Sequence, residues 1–196
     1  MTAELDRAVR TVVRECMSIS PGEEVLVVCN PVTEEIGALM RIEAQGDGAM
    51  ATLAVMSERE SPAAEPPDVV AAAMAEADVV LAPTIQSISH TAARKKASEA
   101  GVRIGSLPGV TEDMLTRLMT SDLSEVRRRG WALSGILNGG TEARITCRHG
   151  SDLRIGLEGR LSIVDAGELG NRGAFGNLPC GEAFIAPVEG TAEGTL

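Results

Sequence analysis

The sequence has few aromatic residues, with no tyrosine, two phenylalanines and one tryptophan among 196 residues. Without tyrosine, no phenol is present to act as a metal ligand, an acid or a base. Apolar residues still account for 44% of the chain, which is enough for a hydrophobic core and argues against intrinsic disorder. That core must be built from alanine, valine, leucine, isoleucine and the eight methionines.

The cysteines are sparse as well, and no two of them form a C-x-x-C pair. This spacing excludes a zinc knuckle and a disulfide framework, and it is typical of reduced thiols in a cytoplasmic protein. No apolar stretch reaches membrane length, and the first residues do not have the apolar character of a signal peptide. We therefore predict a cytoplasmic protein with no membrane partner. The four cysteines are Cys16, Cys29, Cys147 and Cys180.

Positive charge is in deficit, with 18 lysines and arginines against 28 acidic residues and a net charge of −10. Binding to a phosphate backbone requires clustered basic side chains. The one basic run, Arg127–Arg129, follows Glu125 in a predicted helix, where three consecutive side chains point in different directions. We read this run as a solvated face and predict no nucleic-acid partner.

Continuous apolar runs alternate with helix-like patterns from Leu5 to Ile104. Strands that are apolar throughout and alternate with helices are typical of a parallel sheet covered on both faces. We therefore predict an α/β fold with a Rossmann-like parallel sheet and flanking helices. The predicted strands are Val25–Cys29, Ala49–Val55, Val79–Leu81 and Val102–Ile104. The first predicted helix is Leu5–Cys16, the second is capped by Thr33 and ends near Gly46, and the third is capped by Asp68. The fourth covers 90–100 and ends at Gly101, and the fifth begins at a capping box of Asp122 and Glu125.

The pattern changes after Asn138-Gly139-Gly140, where short alternating segments and glycine turns continue to Leu196. We place a domain boundary at 139–140, with a Rossmann-like α/β domain over 1–139 and a β-rich part over 140–196. This second part is small and has no predicted helix to cover it. Its last predicted strand begins near Thr195, so we expect the second domain to be incomplete.

Three groups of residues are predicted to have structural roles. Gly46-Asp47-Gly48 follows a helix, whereas a dinucleotide-binding glycine motif follows a strand. Cys147 and His149 share a face of a predicted strand, but two ligands do not complete a tetrahedral metal site. His90 begins a predicted helix, as a surface cap, and has no nucleophile-and-base partner. No catalytic residue and no cofactor-binding residue is assigned.

Glu182 is the candidate metal ligand. It lies between a constrained approach, formed by Asn177, Pro179 and Gly181, and an apolar run that begins with Phe184. A glycine-rich approach can bring one side chain close to a ligand. A carboxylate in such a place suits a divalent metal ion, although one carboxylate does not make a site.

The run from Asn177 to Pro187, Asn-Leu-Pro-Cys-Gly-Glu-Ala-Phe-Ile-Ala-Pro, resembles the signature of aminopeptidase T-type metallopeptidases, which include leucyl aminopeptidases. The α/β part and the β-rich part are similar to that family's layout over the whole chain. The resemblance implies a hydrolase that releases N-terminal amino acids from peptides, and a homodimer. It also implies two divalent metal ions of the zinc, cobalt, manganese or magnesium class, with Glu182 as one ligand.

The other ligands that the resemblance implies belong to a later part of that family's second domain, so the metal site is expected to be incomplete in this chain. The layout is also similar to that of the 2,5-dihydroxypyridine dioxygenases, which hold one non-haem iron. Glu182 favours the peptidase, and the dioxygenase is the alternative. A non-catalytic α/β scaffold that acts by dimerisation is a further alternative. Metal identity, substrate preference and oligomeric state are not predicted from the sequence.

Overall fold

The computed structural model describes residues 2–196, and it has the predicted α/β fold. No helix in this described part of the chain combines the length and the apolar character needed to cross a membrane. The helices are α1 (Ala3–Arg10), which continues into a π-helical turn (Thr11–Cys16), α2 (Glu34–Gly46), α3 (Asp68–Glu76), α4 (Ala92–Ala100), α5 (Glu112–Leu118) and α6 (Leu123–Gly139). The strands are β1 (Glu24–Cys29), β2 (Met50–Val55), β3 (Val79–Ala82), β4 (Arg103–Ser106), β5 (Glu142–Thr146), β6 (Asp152–Gly156), β7 (Ile163–Asp165), β8 (Phe175–Asn177), β9 (Glu182–Phe184) and β10 (Glu193–Thr195).

Five parallel strands form the main sheet in the order β2-β1-β3-β4-β8. The four strands predicted from the sequence are all present, but the fifth strand is not where we expected it. Residues 175–177 were predicted within the β-rich second part, whereas β8 pairs in parallel with β4 and extends the main sheet. Three residues with a central glycine carry too little apolar pattern to be recognised as a sheet strand.

Alternate side chains of the sheet pack under helices on its two faces. Leu26 and Val28 of β1 belong to one core cluster with Val70 and Met74 of α3. The opposite face is covered by α2, where Gly37 lies against Cys29. Because β1 and β3 are buried from both sides, their apolar runs have no polar alternation, as the sequence indicated.

Threonine and aspartate side chains begin several of the helices. Thr91 accepts a hydrogen bond from the backbone N–H of Arg94, and it replaces the predicted cap His90, which is exposed. Asp122 begins α6 as predicted by accepting from the N–H groups of Ser124 and Glu125. The predicted reciprocal bond of Glu125 is missing, because its carboxylate pairs with two arginines instead: Arg128 and Arg129.

At two other predicted caps, no side chain makes a capping hydrogen bond. The N-terminus of α3 has Pro67 at the cap position and no side-chain hydrogen bond, so Asp68 is the first helical residue. Thr33 stands at the N-cap position of α2, as predicted, but its hydroxyl donates to the carbonyls of Asn30 and Pro83 and does not accept from an N–H group of α2.

The chain divides into two compact units. The sheet unit contains the chain up to Ser121 together with Gly167–Cys180. The hairpin unit contains Asp122–Ala166 and Gly181–Leu196. This division differs from the predicted boundary at 139–140, because α6 packs against β7 and β9 of the hairpin unit and because β8 returns to the main sheet.

Two antiparallel sheets make up the β structure of the hairpin unit. The predicted hairpin of β5 and β6 gains a third strand, β10, which pairs with β6. The separate ribbon of β7 and β9 packs on α6. Val164 on β7 approaches the position that a Cβ on Gly130 of α6 would occupy, at 3.0 Å, so a glycine in the helix permits the close packing.

Candidate functional site

Asn30 connects three strands at the carboxyl edge of the main sheet, the edge at which open α/β sheets bind ligands. It follows β1 directly and is 2% exposed. Its side-chain nitrogen donates to the carbonyl of Met56, after β2, at 3.0 Å. Its side-chain oxygen accepts from the N–H of Ile85, after β3, at 2.8 Å. The crevice between β1 and β3 is therefore spanned by a hydrogen-bonded side chain.

The loop 57–67 is anchored over the same edge by two charged side chains. Arg59 is buried and donates to the carbonyls of Ala64, Gln86 and Ser87. Glu65 accepts from the first N–H groups of α4, those of Ala92 at 2.6 Å and Ala93 at 3.0 Å. A carboxylate at this position is stabilised by the free N–H groups and the dipole at the helix start.

The Glu65 contact predicts a pH-dependent contribution to stability. Hydrogen bonds from the N–H groups of Ala93 and Ala92 lower the pKa of Glu65 from its ordinary 4.5. A lowered carboxyl pKa contributes stability that is complete above the ordinary value and is lost as the pH falls through the folded-state pKa. We expect Glu65→Gln to lower the melting temperature at pH 7, and we expect the difference from wild type to shrink as the pH falls below 4.5.

Thermal melts of both proteins from pH 3 to pH 7 measure this difference. Glu60→Gln is the matched control, because Glu60 is an exposed glutamate of the same loop. A difference between wild type and Glu65→Gln that stays constant across the range would contradict the assignment.

Neutral polar groups lie at the end of β8 in the sheet unit. The hydroxyl of Ser89 donates to the side-chain oxygen of Asn177 at 3.3 Å. Arg94 donates to the carbonyl of Ser89 and lies over the ring of Phe175, 4.3 Å from its centroid. His90 is exposed next to this group.

The candidate ligand Glu182 lies at the start of β9 in the hairpin unit and is exposed. The preceding Gly181 has φ +133°, and its N–H donates to the carbonyl of Asp165 at 2.9 Å. A Cβ on Gly181 would also lie 3.1 Å from the side chain of Val126. The backbone conformation at position 181 and its close packing on α6 therefore explain why a glycine precedes Glu182.

Asp165 stands directly opposite Glu182 in the antiparallel pairing of β7 and β9. Directly opposed side chains project from the same face of a ribbon, so Asp165 and Glu182 are neighbours on one face. Asp165 could not be identified from the sequence, because no local pattern shows that β7 pairs with β9.

The same ribbon face has an apolar half next to the two acids. Ile163 and Phe184 oppose each other across β7 and β9 and remain 58% and 45% exposed. The alternation of side chains along a strand places them on the face of Asp165 and Glu182. We call these four residues, Ile163, Asp165, Glu182 and Phe184, the ribbon face.

Cys147 and His149, which were predicted to share a face of a strand, lie instead in the turn between β5 and β6. The backbone N–H of His149 donates to the sulfur of Cys147, and the ring nitrogen of His149 accepts from Arg148. Hydrogen bonding to Ser151 and to the turn backbone lowers the pKa of Cys147. Among residues 2–196, no group of three or more histidine, cysteine, aspartate or glutamate side chains is arranged to hold a metal ion.

The sequence model of the NicX family, described as 2,5-dihydroxypyridine 5,6-dioxygenase, matches residues 4–196. The chain belongs to the NicX family. This match favours the dioxygenase alternative over the aminopeptidase that the sequence analysis placed first. No curated protein sequence matches this NicX family member.

Two solved structures share the fold of this NicX family member. The 2,5-dihydroxypyridine dioxygenase from Pseudomonas putida KT2440 is similar with a TM-score of 0.81 and 19% sequence identity, over 100% of this chain and 60% of that one. Wild-type AmpT from Thermus thermophilus is similar with a TM-score of 0.64 and 20% identity, over 97% of this chain and 63% of that one. The chain thus spans about three fifths of the length of these two proteins.

Proposed function

We propose that the protein acts as an oxygen-dependent, ring-opening dioxygenase on a 2,5-dihydroxypyridine or a closely similar hydroxylated pyridine. The observation that carries this proposal is the family match, which extends over residues 4–196 and includes both compact units. The structural likenesses, at 19% and 20% identity, support the fold alone.

The ribbon face offers chemistry that suits such a substrate. A hydroxylated pyridine is a flat ring with hydroxyl donors on its edge. Phe184 and Ile163 supply an exposed apolar surface on which a ring can stack, since aromatic rings prefer offset or edge contacts. Asp165 and Glu182 lie beside that surface and can accept hydrogen bonds from the hydroxyl groups.

The metal ion expected of such an enzyme is not held by these residues alone. An iron of the two-histidine, one-carboxylate kind requires three ligands in one place. The sequence has two histidines, His90 and His149, and they belong to different units. His149 also uses a ring nitrogen to accept from Arg148. We propose that Glu182 contributes one carboxylate next to a divalent metal ion in the whole protein, with Asp165 beside it.

The proposed dioxygenase activity is tested with the whole protein loaded with Fe(II). We expect oxygen uptake and loss of the pyridine absorption band when 2,5-dihydroxypyridine is added. A parallel assay with leucine p-nitroanilide and zinc, cobalt or manganese tests the aminopeptidase. Release of nitroaniline without oxygen uptake would support the aminopeptidase and overturn the proposal. Inactivity in both assays would leave the non-catalytic scaffold as the better description.

A further inference from the structure

Two cysteine sulfurs converge on one glycine in the sheet unit. Cys16 ends the π-helical turn after α1 and is 1% exposed, and Cys180 is partly exposed at the end of the segment that carries β8. A Cβ built on Gly167 would lie 2.6 Å from the sulfur of Cys180 and 3.1 Å from the sulfur of Cys16. The two sulfurs are therefore at most about 6 Å apart, the sum of those two distances.

Gly167 is required at this place for two reasons. Its φ of +67° is a backbone conformation that side chains rarely adopt, and any side chain would collide with the two sulfurs. The segment is also fixed to Cys16 by the backbone, because the N–H of Leu169 donates to the Cys16 carbonyl at 2.9 Å. Both sulfurs therefore lie next to the position that a Gly167 side chain would occupy.

The other two cysteines lie in different surroundings. Cys29 is fully buried in β1 under Gly37, and burial, with a smaller effect of Glu34, raises the pKa of its thiol to about 11. Cys147 is exposed in the turn of the hairpin unit. Cys29 and Cys147 therefore serve as a buried and an exposed internal control.

We propose that Cys16 and Cys180 form a redox-active thiol pair that closes reversibly to a disulfide when the protein meets a hydroperoxide. Cys180 is the partly exposed member, so it meets the oxidant first, whereas Cys16 resolves from the buried side. This inference concerns the sheet unit and does not depend on the proposed function.

The chemistry balances in two steps. The Cys180 thiol reduces the hydroperoxide, its sulfur gains one oxygen as a sulfenic acid, and one water is released when the oxidant is hydrogen peroxide. The Cys16 sulfur then attacks the Cys180 sulfur, the S–S bond forms, the S–O bond breaks, and the hydroxyl leaves with the Cys16 proton as a second water. A dithiol reductant reverses the change by exchange.

Mass spectrometry of the Cys147→Ser protein, in which the exposed thiol is removed, tests the pair. After hydrogen peroxide treatment and before any alkylation, we expect a loss of about 2 Da relative to the reduced protein. After alkylation of the remaining thiol and digestion, we expect a cross-linked peptide containing Cys16 and Cys180. Dithiothreitol should restore the reduced mass. Adding Cys180→Ser or Cys16→Ser should abolish the cross-link, whereas Cys29→Ser should leave it unchanged.

Loss of the cross-link in Cys180→Ser is not expected to come from misfolding, because Cys180 is only partly buried and its replacement disturbs the core less than a change at Cys16. An unchanged melting temperature of this variant verifies that it folds. Gain of about 32 Da at Cys180 without the cross-linked peptide would overturn the proposal, because it would mean that Cys16 does not resolve the sulfenic acid. A disulfide formed only between separate molecules would overturn it as well.

Discussion

Replacing Asn30 by alanine is expected to lower the free energy of unfolding by about 3–5 kcal/mol, because a buried carbonyl and a partly buried N–H group lose their partner. The N–H of Ile85 and the carbonyl of Met56 are satisfied by the amide of Asn30, which is 2% exposed. Each unsatisfied buried group costs about 1–3 kcal/mol, and the space left by the amide adds to the loss.

Urea unfolding measures this change, with the slope against urea concentration expected to remain as in the wild type. Asn30→Asp separates the two bonds, since a carboxylate can accept from Ile85 but cannot donate to the carbonyl of Met56. Asn171→Ala is the control at an exposed asparagine, where we expect less than about 0.5 kcal/mol. An effect of Asn30→Ala as small as that of the control would mean that the loops hold without this side chain.

The predictions of β1 and β3 succeeded because burial on both faces leaves a strong signal in the sequence. Val25–Cys29 and Val79–Leu81 are continuous apolar runs, and such runs have few uses other than a covered parallel strand. Gly101 likewise marked the end of α4, since it has φ +103° at the helix end. Elements with strong local patterns of this kind can be predicted from the sequence without knowledge of tertiary contacts.

The parts that were missed depend on contacts between distant segments. The strand β8 owes its place to pairing with β4 and not to its own three residues. The opposition of Asp165 and Glu182 likewise depends on the register between β7 and β9. A slip of one residue would move the side chains of one strand to the other face of the ribbon. Thr33 had the residue type of a helix cap, but its hydroxyl was drawn to the carbonyl of Pro83, 50 residues away.

The family match changes the reaction in which Glu182 is expected to take part. The sequence segment around it resembles that of aminopeptidase T-type enzymes, yet the family model that spans the chain is that of the dioxygenases. What both readings share is an exposed carboxylate at the start of a short strand, beside a second carboxylate and an apolar surface. The role of Glu182 can therefore be tested without first choosing between the reactions.

In the whole protein, Glu182→Gln is expected to reduce kcat/KM by about 100-fold or more in whichever assay reports turnover, because glutamine keeps the shape but loses the charge that holds a cation. Bound metal, measured by elemental analysis, should fall in parallel. Glu193→Gln is the matched control, since Glu193 is an exposed glutamate on β10 of the same hairpin unit.

The pattern of loss distinguishes the two roles that the ribbon face permits. If metal content falls with turnover, Glu182 acts on the metal ion. If metal content is retained while KM rises and kcat changes little, Glu182 instead accepts a hydrogen bond from the substrate, and Phe184→Ala should then raise KM as well. Unchanged metal content and unchanged kinetics in Glu182→Gln would remove this residue from the active site. The carboxylate of Asp165, opposite it in the ribbon, would then be the next residue to replace.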